Sequence, residues 1–149
     1  MRILDRAKIS YSFAEYAAPD GAVDGVTVAE KIGENPDFVY KTLVTKGQGG
    51  YFVFVVPVKC ELDLKAAARA VGQKSVEMIK VADINKVTGY IRGGCSPVGM
   101  KKQFVTVADA SAENLDYFFV SGGKIGLQIK VNPKDIASLT GMTFAPIVK

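Results

Sequence analysis

The sequence contains no histidine among its 149 residues and only two cysteines, Cys60 and Cys95. The absence of histidine excludes Ser-His and Cys-His nucleophile pairs, histidine metal sites and the commonest general base near neutral pH. Two cysteines without a recognisable export signal disfavour a disulfide framework, so both thiols are expected to be reduced. Any chemistry must therefore rely on lysine, carboxylates, hydroxyls, backbone amides, water or the substrate itself.

Long apolar segments are absent as well. The longest run, at residues 51–58, is far shorter than the roughly 20 residues that span a bilayer. Two charged residues lie within the first five positions, in place of the apolar core of a signal peptide. We therefore expect a cytoplasmic protein with no membrane partner, folded as a single domain over residues 1–149.

The charge balance is mildly basic. The chain has 19 Lys and Arg against 15 Asp and Glu, which gives a net charge of +4. Such an excess permits a polyanionic partner, but it is equally typical of an ordinary soluble surface. The net charge alone therefore does not decide whether the protein binds a nucleic acid.

The hydrophobic pattern predicts more strands than helices. Residues 40–46 and 51–58 are rich in strand formers and flank a glycine-rich turn, which predicts a hairpin whose second strand is buried on both faces. Helical spacing predicts helices over 64–71, capped by Asp63, and over 133–139. This order indicates an α+β fold with a mixed sheet that curls towards a barrel. Local signals also predict short helices at 4–8 and 81–87, and a third that starts at the capping pair Thr27 and Glu30. A turn is predicted at 19–21, and further strands are predicted at 9–16, 75–79, 105–107, 117–120 and 127–131.

Three short runs stand out, at residues 39–43, 93–102 and 120–127: the first contains lysine and threonine, and the other two each combine a glycine pair with lysine and serine. Glycine lets a backbone approach a ligand closely and lysine supplies charge, which suits a phosphate-bearing or ester substrate. Neither glycine run is a standard nucleotide motif, because Met100 stands where a P-loop needs lysine and Ser121 where the dinucleotide fingerprint needs its first glycine.

The glycines are equally compatible with plain turns, but Pro97 and its polar neighbours favour a preorganised binding loop. Lys41 shares a strand face with Leu43, so its ammonium is predicted to project from an apolar wall, although most strand lysines are solvated edge residues. Cys95 has no histidine to activate it, and we interpret it as a small side chain in a tight place.

Taken together, these runs resemble the YbaK/EbsC family of aminoacyl-tRNA deacylases, specifically its Cys-tRNA(Pro) deacylases, and the related editing domain of bacterial prolyl-tRNA synthetases. Several matches in the same order cover nearly the whole chain and make the resemblance specific. They include further segments at residues 9–11, 35–36, 62–65, 76–78 and 88–90.

The resemblance implies a mixed, barrel-like β-sheet flanked by helices, a pocket for the aminoacylated 3′ end of tRNA, no metal or other cofactor, and prolyl-tRNA synthetase as a partner. Family members usually carry aspartate where this chain has Gln128. Carried over by position, Lys41, Gly94 and Gly99 are expected to be catalytic, and substrate binding is expected at Tyr16, Thr42, Gly93, Ser96, Ser121, Gly122 and Gln128.

The resemblance also implies a mechanism in which the substrate's own thiol attacks its ester carbonyl. Such an enzyme needs no protein nucleophile, which agrees with the absence of histidine. The expected function is therefore release of cysteine from mischarged Cys-tRNA(Pro). Two alternatives stay open: a deacylase specific for alanine or serine that activates water, and a noncatalytic module that binds tRNA ends or a synthetase. The oligomeric state is open too.

Overall fold

The computed structural model describes residues 2–19, 21 and 24–149, and within them eight strands form two sheets. The strands are β1 (Tyr11–Glu15), β2 (Tyr40–Gly47), β3 (Gly50–Pro57), β4 (Glu77–Met78), β5 (Val105–Asp109), β6 (Phe118–Ser121), β7 (Leu127–Val131) and β8 (Thr143–Ala145). The α-helices are α1 (Arg2–Arg6), α2 (Gly25–Lys31), α3 (Leu64–Ala70), α4 (Ile84–Thr88) and α5 (Pro133–Thr140), and 3-10 turns cover Pro36–Phe38, Val81–Asp83 and Ala110–Ala112.

The larger sheet, in the order β4-β2-β3-β5-β8, is mixed. Strand β2 pairs antiparallel with β3 and β4, whereas β5 pairs parallel with β3 and β8. The smaller sheet, β1-β7-β6, is antiparallel, and a parallel bridge between Val39 and Phe119 links it to the larger one. The predicted α+β class with a mixed sheet is confirmed, but the described strands divide between two sheets and do not close into a barrel.

Strand β3 is the centre of the core. Its residues 52–56 are at most 7% exposed, which confirms the predicted burial of both faces. Because successive residues face opposite sides of a strand, Phe54 packs with Ala67 of α3, whereas Val55 packs with Phe118 of the smaller sheet. Helix α3 therefore packs on one face of the hairpin of β2 and β3, and the smaller sheet packs on the other face.

Two helix starts follow the sequence signals closely. The carboxylate of Asp63 accepts hydrogen bonds from the amides of Lys65 and Ala66 at 3.0 and 3.2 Å, as its predicted capping role requires. Helix α5 begins with Pro133, directly after the cap Asn132.

In the described residues, no helix combines the length and apolar character needed to cross a membrane.

The start of α2 was predicted wrongly. The helix begins at Gly25 and is capped by Asp24, not by Thr27. The Asp24 carboxylate accepts hydrogen bonds from both the amide and the hydroxyl of Thr27, each at 2.9 Å, so Thr27 is the partner of the cap. The turn predicted at 19–21 includes Asp20, which lies outside the described residues.

Candidate functional site

A cleft of about 840 Å³ opens between the two sheets. Strands β2 and β6 meet at the bridge between Val39 and Phe119, and the cleft lies beyond it. Residues 39–44 line one side, while Ser121 and its directly opposite neighbour Gln128 line the other. The remaining walls come from α2, the segment 78–84 and the loop 92–95.

The edge of β2 that faces the cleft carries main-chain groups that no described residue pairs with. The carbonyl of Val39 accepts from the amide of Val58 on the β3 side, and that of Val44 accepts from the amide of Ile79 on the opposite side. Main-chain groups alternate along a strand, so the amide and carbonyl of Thr42 point away from β3. Strand β4 pairs only with residues 45–46, which leaves Thr42 on the open edge.

Two residues that line this cleft each carry a buried oxygen without a partner among the described residues. Among the described residues, the side-chain atoms that are buried and lack a hydrogen bond are Oγ1 of Thr42 and Oε1 of Gln128. Gln128 is only 6% exposed. Leaving such a group unsatisfied costs about 1–3 kcal/mol, and both residues line the cleft. The two oxygens are therefore candidate acceptors for hydrogen-bond donors of a ligand.

The charged side chains of the cleft are Lys41, Arg92 and Asp24. Lys41 is partly buried and forms no salt bridge with any described residue. Asp24 is held at the start of α2, where the hydrogen bonds from Thr27 lower the pKa of its carboxyl group. Arg92, which is exposed, forms no salt bridge with a described residue either, so the cleft offers two cations, Lys41 and Arg92, to a phosphate or an ester oxygen.

Tyr90 packs between the two glycine runs. Its hydroxyl donates to the carbonyl oxygen of Val98 at 2.6 Å, and burial raises the pKa of the phenol, so it stays a donor at neutral pH. A Cβ at Gly99 would lie 2.7 Å from the Tyr90 oxygen, and one at Gly123 would lie 3.2 Å from the ring. Both positions also have positive φ. Glycine is therefore required there for two reasons, the contact with Tyr90 and the backbone conformation.

Several predicted site residues support the loops without lining the cleft. The amide of Gly94 donates to the carbonyl of Ile91 at 2.9 Å, and the buried Ser96 hydroxyl accepts from the amide of Val98 at 3.2 Å. These two amides are therefore used within the loop. Gly122 packs on Leu127, where an added Cβ would come within 2.7 Å of the side chain.

The predicted site residues thus separate into two groups. The structure brings together Lys41, Thr42, Gly93, Ser121 and Gln128 in one cleft. Ser121 also accepts a hydrogen bond from the amide of Gly123 at 3.2 Å, which shapes the second glycine run. The structure does not bring Gly94, Ser96, Gly99, Gly122 or Tyr16 to the cleft wall, and their roles in activity stay predictions.

Tyr16 lies at a different depression. This shallow site of about 470 Å³ is lined by Tyr16 and its neighbours together with Lys124, Ile125 and Gly126. The amide of Tyr16 donates to the carbonyl of Gly126 at 3.0 Å, so β1 leads directly into the second glycine run.

Cys95 belongs to the cleft wall but is buried. Its sulfur donates to the carbonyl of Ile91 at 3.6 Å, and burial raises the pKa of the thiol. A protonated, buried thiol is a poor nucleophile, which agrees with the interpretation of Cys95 as a small side chain in a tight place. No group of three or more acidic or cysteine side chains within 2–19, 21 and 24–149 is placed to hold a metal ion.

Sequence reasoning missed three residues around the cleft. Arg92 lines it and directly precedes the first glycine run, a position that would have been a usable signal. Tyr90 lies in the matching segment 88–90, but nothing in the sequence around it indicated a functional role. Asp24 was missed because its capping role depends on where α2 begins.

Comparison with known proteins gives consistent results. The model of the aminoacyl-tRNA editing domain family matches residues 21–139. An Enterococcus faecalis protein named "Putative Cys-tRNA(Pro)/Cys-tRNA(Cys) deacylase EbsC" is 45% identical over 99% of this chain and 90% of its own length. A proline–tRNA ligase of Thermosipho melanesiensis is 30% identical over 65% of this chain, but that match spans only 17% of the ligase. A solved structure described as "a putative trans-editing enzyme for prolyl tRNA synthetase" superposes with a TM-score of 0.82 at 25% identity, covering 93% of this chain and 87% of the other.

Proposed function

The chain belongs to the aminoacyl-tRNA editing domain family, so we propose that it is a trans-editing deacylase that releases cysteine from mischarged Cys-tRNA(Pro). The observation that carries this proposal is the chemistry of the cleft. Among the described residues, it offers a lysine without an ion-pair partner and two unpartnered acceptors. Its one thiol is buried with a raised pKa, and the chain has no histidine. Such a site is suited to hold an ester substrate that supplies its own nucleophile.

The proposed reaction begins within the substrate. The cysteinyl thiol attacks its own ester carbonyl carbon, the carbon–sulfur bond forms, and the bond to the ribose oxygen breaks. The thiol proton passes to the ribose oxygen, so the products are a cyclic thioester of cysteine and tRNA with a free 3′ end. Water then opens the thioester. Holding thiol and carbonyl in near-attack geometry contributes roughly 7–11 kcal/mol to the rate without a catalytic nucleophile.

Four cleft residues have a part in this scheme. The ammonium of Lys41 holds the terminal phosphate or the ester oxygen as a point charge. The oxygens of Thr42 and Gln128 accept hydrogen bonds from the amino group of the cysteinyl moiety, since that group brings several donors to two unpartnered acceptors. Gly93 lines the cleft, where its backbone lies open to the developing oxyanion.

Selectivity for cysteine follows from the thiol and not from size. A pocket separates side chains that differ by one small group by only about 1–3 kcal/mol, which discriminates weakly against alanine or serine. A substrate without sulfur, by contrast, lacks the attacking atom altogether.

The decisive experiment compares tRNA(Pro) charged with cysteine and with 2-aminobutyrate, whose methyl group replaces the thiol at nearly equal size. We expect release of cysteine only, with the cyclic thioester found by mass spectrometry after rapid quenching. Equal rates for the two substrates would refute the substrate-assisted mechanism. Alanine- and serine-charged tRNA extend the panel: their release would identify a water-activating deacylase, and binding without release would identify a noncatalytic module.

We also propose that prolyl-tRNA synthetase assists the reaction. In the Thermosipho ligase the region matching this chain is part of the synthetase itself. Prolyl-tRNA synthetase added to the assay is expected to raise kcat/KM for Cys-tRNA(Pro) and leave Cys-tRNA(Cys) unaffected. An equal effect on both tRNAs, or none, would contradict this partnership.

A further inference from the structure

Exposed apolar side chains gather at the mouth of the cleft. Among the described residues, eight large apolar side chains are exposed, and three of them line the cleft: Val26, Met78 and Val81, at 37, 46 and 56% exposure. Arg92 lines the cleft beside them. We call these four residues the rim. Single exposed apolar residues need no explanation, but a cluster at the opening of a binding cleft marks an interaction surface.

The segment that supplies most of the rim also carries the positive excess of the chain. Residues 74–102, which supply three of the four rim residues, hold six of the 19 Lys and Arg but only two of the 15 Asp and Glu. The whole net charge of +4 therefore belongs to this one segment, and the rest of the chain is balanced. All six cations are exposed, and none forms a salt bridge with a described residue.

We infer that the rim binds the unpaired nucleotides that precede the terminal adenosine of the tRNA, an inference that rests on the proposed function. Single-stranded nucleic acid presents apolar base faces and one phosphate per nucleotide. The flat bases lie on Val26, Met78 and Val81. Arg92 and the exposed Lys80, which precedes Val81 in the chain, contact phosphates. A surface that combines unpaired cations with apolar groups complements this occupant better than an acidic or a purely apolar partner.

The position of the rim agrees with the path of the strand. The terminal adenosine and its amino acid enter the cleft at Lys41 and Thr42, so the preceding nucleotides must leave through its mouth. The mouth is where the rim lies, because its four residues line the cleft and are exposed to solvent. The rim therefore extends the site from one nucleoside to a short single strand.

The test compares two substrates, Cys-tRNA(Pro) and cysteine esterified to adenosine alone. The variant Arg92→Gln is expected to lower the ratio of kcat/KM for the tRNA to kcat/KM for the nucleoside by about tenfold. It should also reduce the dependence of log kcat/KM on log salt for the tRNA by about one unit of slope. Met78→Ser tests the apolar part and should lower the ratio without changing the slope.

The matched control is Arg69→Gln, which removes an exposed arginine from α3, away from the cleft, and should keep both the ratio and the slope of the unaltered protein. The inference is overturned if Arg92→Gln leaves the ratio unchanged, or if Arg69→Gln lowers it equally. A loss seen only when prolyl-tRNA synthetase is present would assign the rim to a protein partner and overturn it as well. If the unaltered protein cleaves neither substrate, the proposed function itself is refuted. If it cleaves both with equal kcat/KM, the inference about the rim is refuted, but the proposed function is not.

Discussion

Gly94 lies against the backbone of Lys124, so close that a Cβ on Gly94 would be 3.2 Å from the Lys124 Cα and from the amide nitrogen of Ile125. The contact joins the first glycine run to the second. Because the neighbouring atoms are main chain, they cannot turn aside as the end of a flexible side chain does.

Gly94→Ala is therefore expected to destabilise the fold by about 1–3 kcal/mol through overpacking. It should also lower kcat/KM, since the two runs would move apart beside the cleft. Urea unfolding and the deacylation assay measure the two effects. Gly49→Ala serves as the control, because its Cβ would meet only a side-chain nitrogen of Gln73 at 3.4 Å. Equal stability losses in the two variants would show that the contact between the runs is unimportant.

Lys41→Ala is expected to reduce kcat/KM for Cys-tRNA(Pro) by about 10²-fold or more while the protein stays folded. The reason is that the variant removes from the cleft the charge to which we assign the terminal phosphate or the ester oxygen. Lys46→Ala is the control, since Lys46 lies on the same strand but is exposed and outside the cleft. Unaltered turnover in Lys41→Ala, with circular dichroism showing a native fold, would remove Lys41 from the mechanism.

Thr42→Val should separate stability from activity. The substitution keeps the shape of the side chain and removes a buried hydroxyl that has no partner, so the free energy of unfolding is expected to stay equal or rise by about 1 kcal/mol. Activity should fall because the substrate loses an acceptor. Thr45→Val is the matched control on β2: its hydroxyl donates to the carbonyl of Phe52 at 2.9 Å, so this variant should lose stability. A stability loss in Thr42→Val as large as in Thr45→Val would mean that the Thr42 hydroxyl is satisfied in the free protein.

The stability of the protein is expected to decrease at alkaline pH. Burial raises the pKa values of the Cys95 thiol and of the Tyr40 and Tyr90 phenols. In the unfolded chain these groups lose their protons near about pH 8.5 and about pH 10, so above those values the folded state holds more protons than the unfolded one. The stabilisation is complete below the unfolded pKa values and is lost as the pH rises through the folded ones. Urea midpoints measured from about pH 7 to about pH 10.5 should fall, and less steeply in Tyr90→Phe; midpoints that stay level would contradict this assignment.

Local patterns were sufficient for the elements whose signals are short range. The hairpin of β2 and β3 and the capped helices α3 and α5 follow from residue spacing, turn chemistry and the caps Asp63 and Asn132. The way in which the two sheets are joined did not follow, because among the described residues they are linked by one isolated bridge between Val39 and Phe119, which lie 80 positions apart in sequence.

The candidate site shows the same limit. Lys41, Thr42 and Ser121 were selected by resemblance, and they do meet in one cleft. The contacts of Tyr90 with both glycine runs could not be predicted, since they depend on how two loops meet in space and not on any spacing along the chain. Tyr16 was selected by the same resemblance, but it lies at a separate depression beside the second glycine run.

The buried thiol of Cys95 has a consequence for an enzyme that handles cysteine esters. A thiolate in the cleft wall would attack the ester carbonyl carbon, displace the ribose oxygen and leave the protein covalently blocked as a thioester. Burial keeps Cys95 protonated, so the wall does not compete with the sulfur of the bound molecule for the same carbonyl. For the same reason, alkylating reagents should modify Cys60, which is only partly buried, before they reach the cleft.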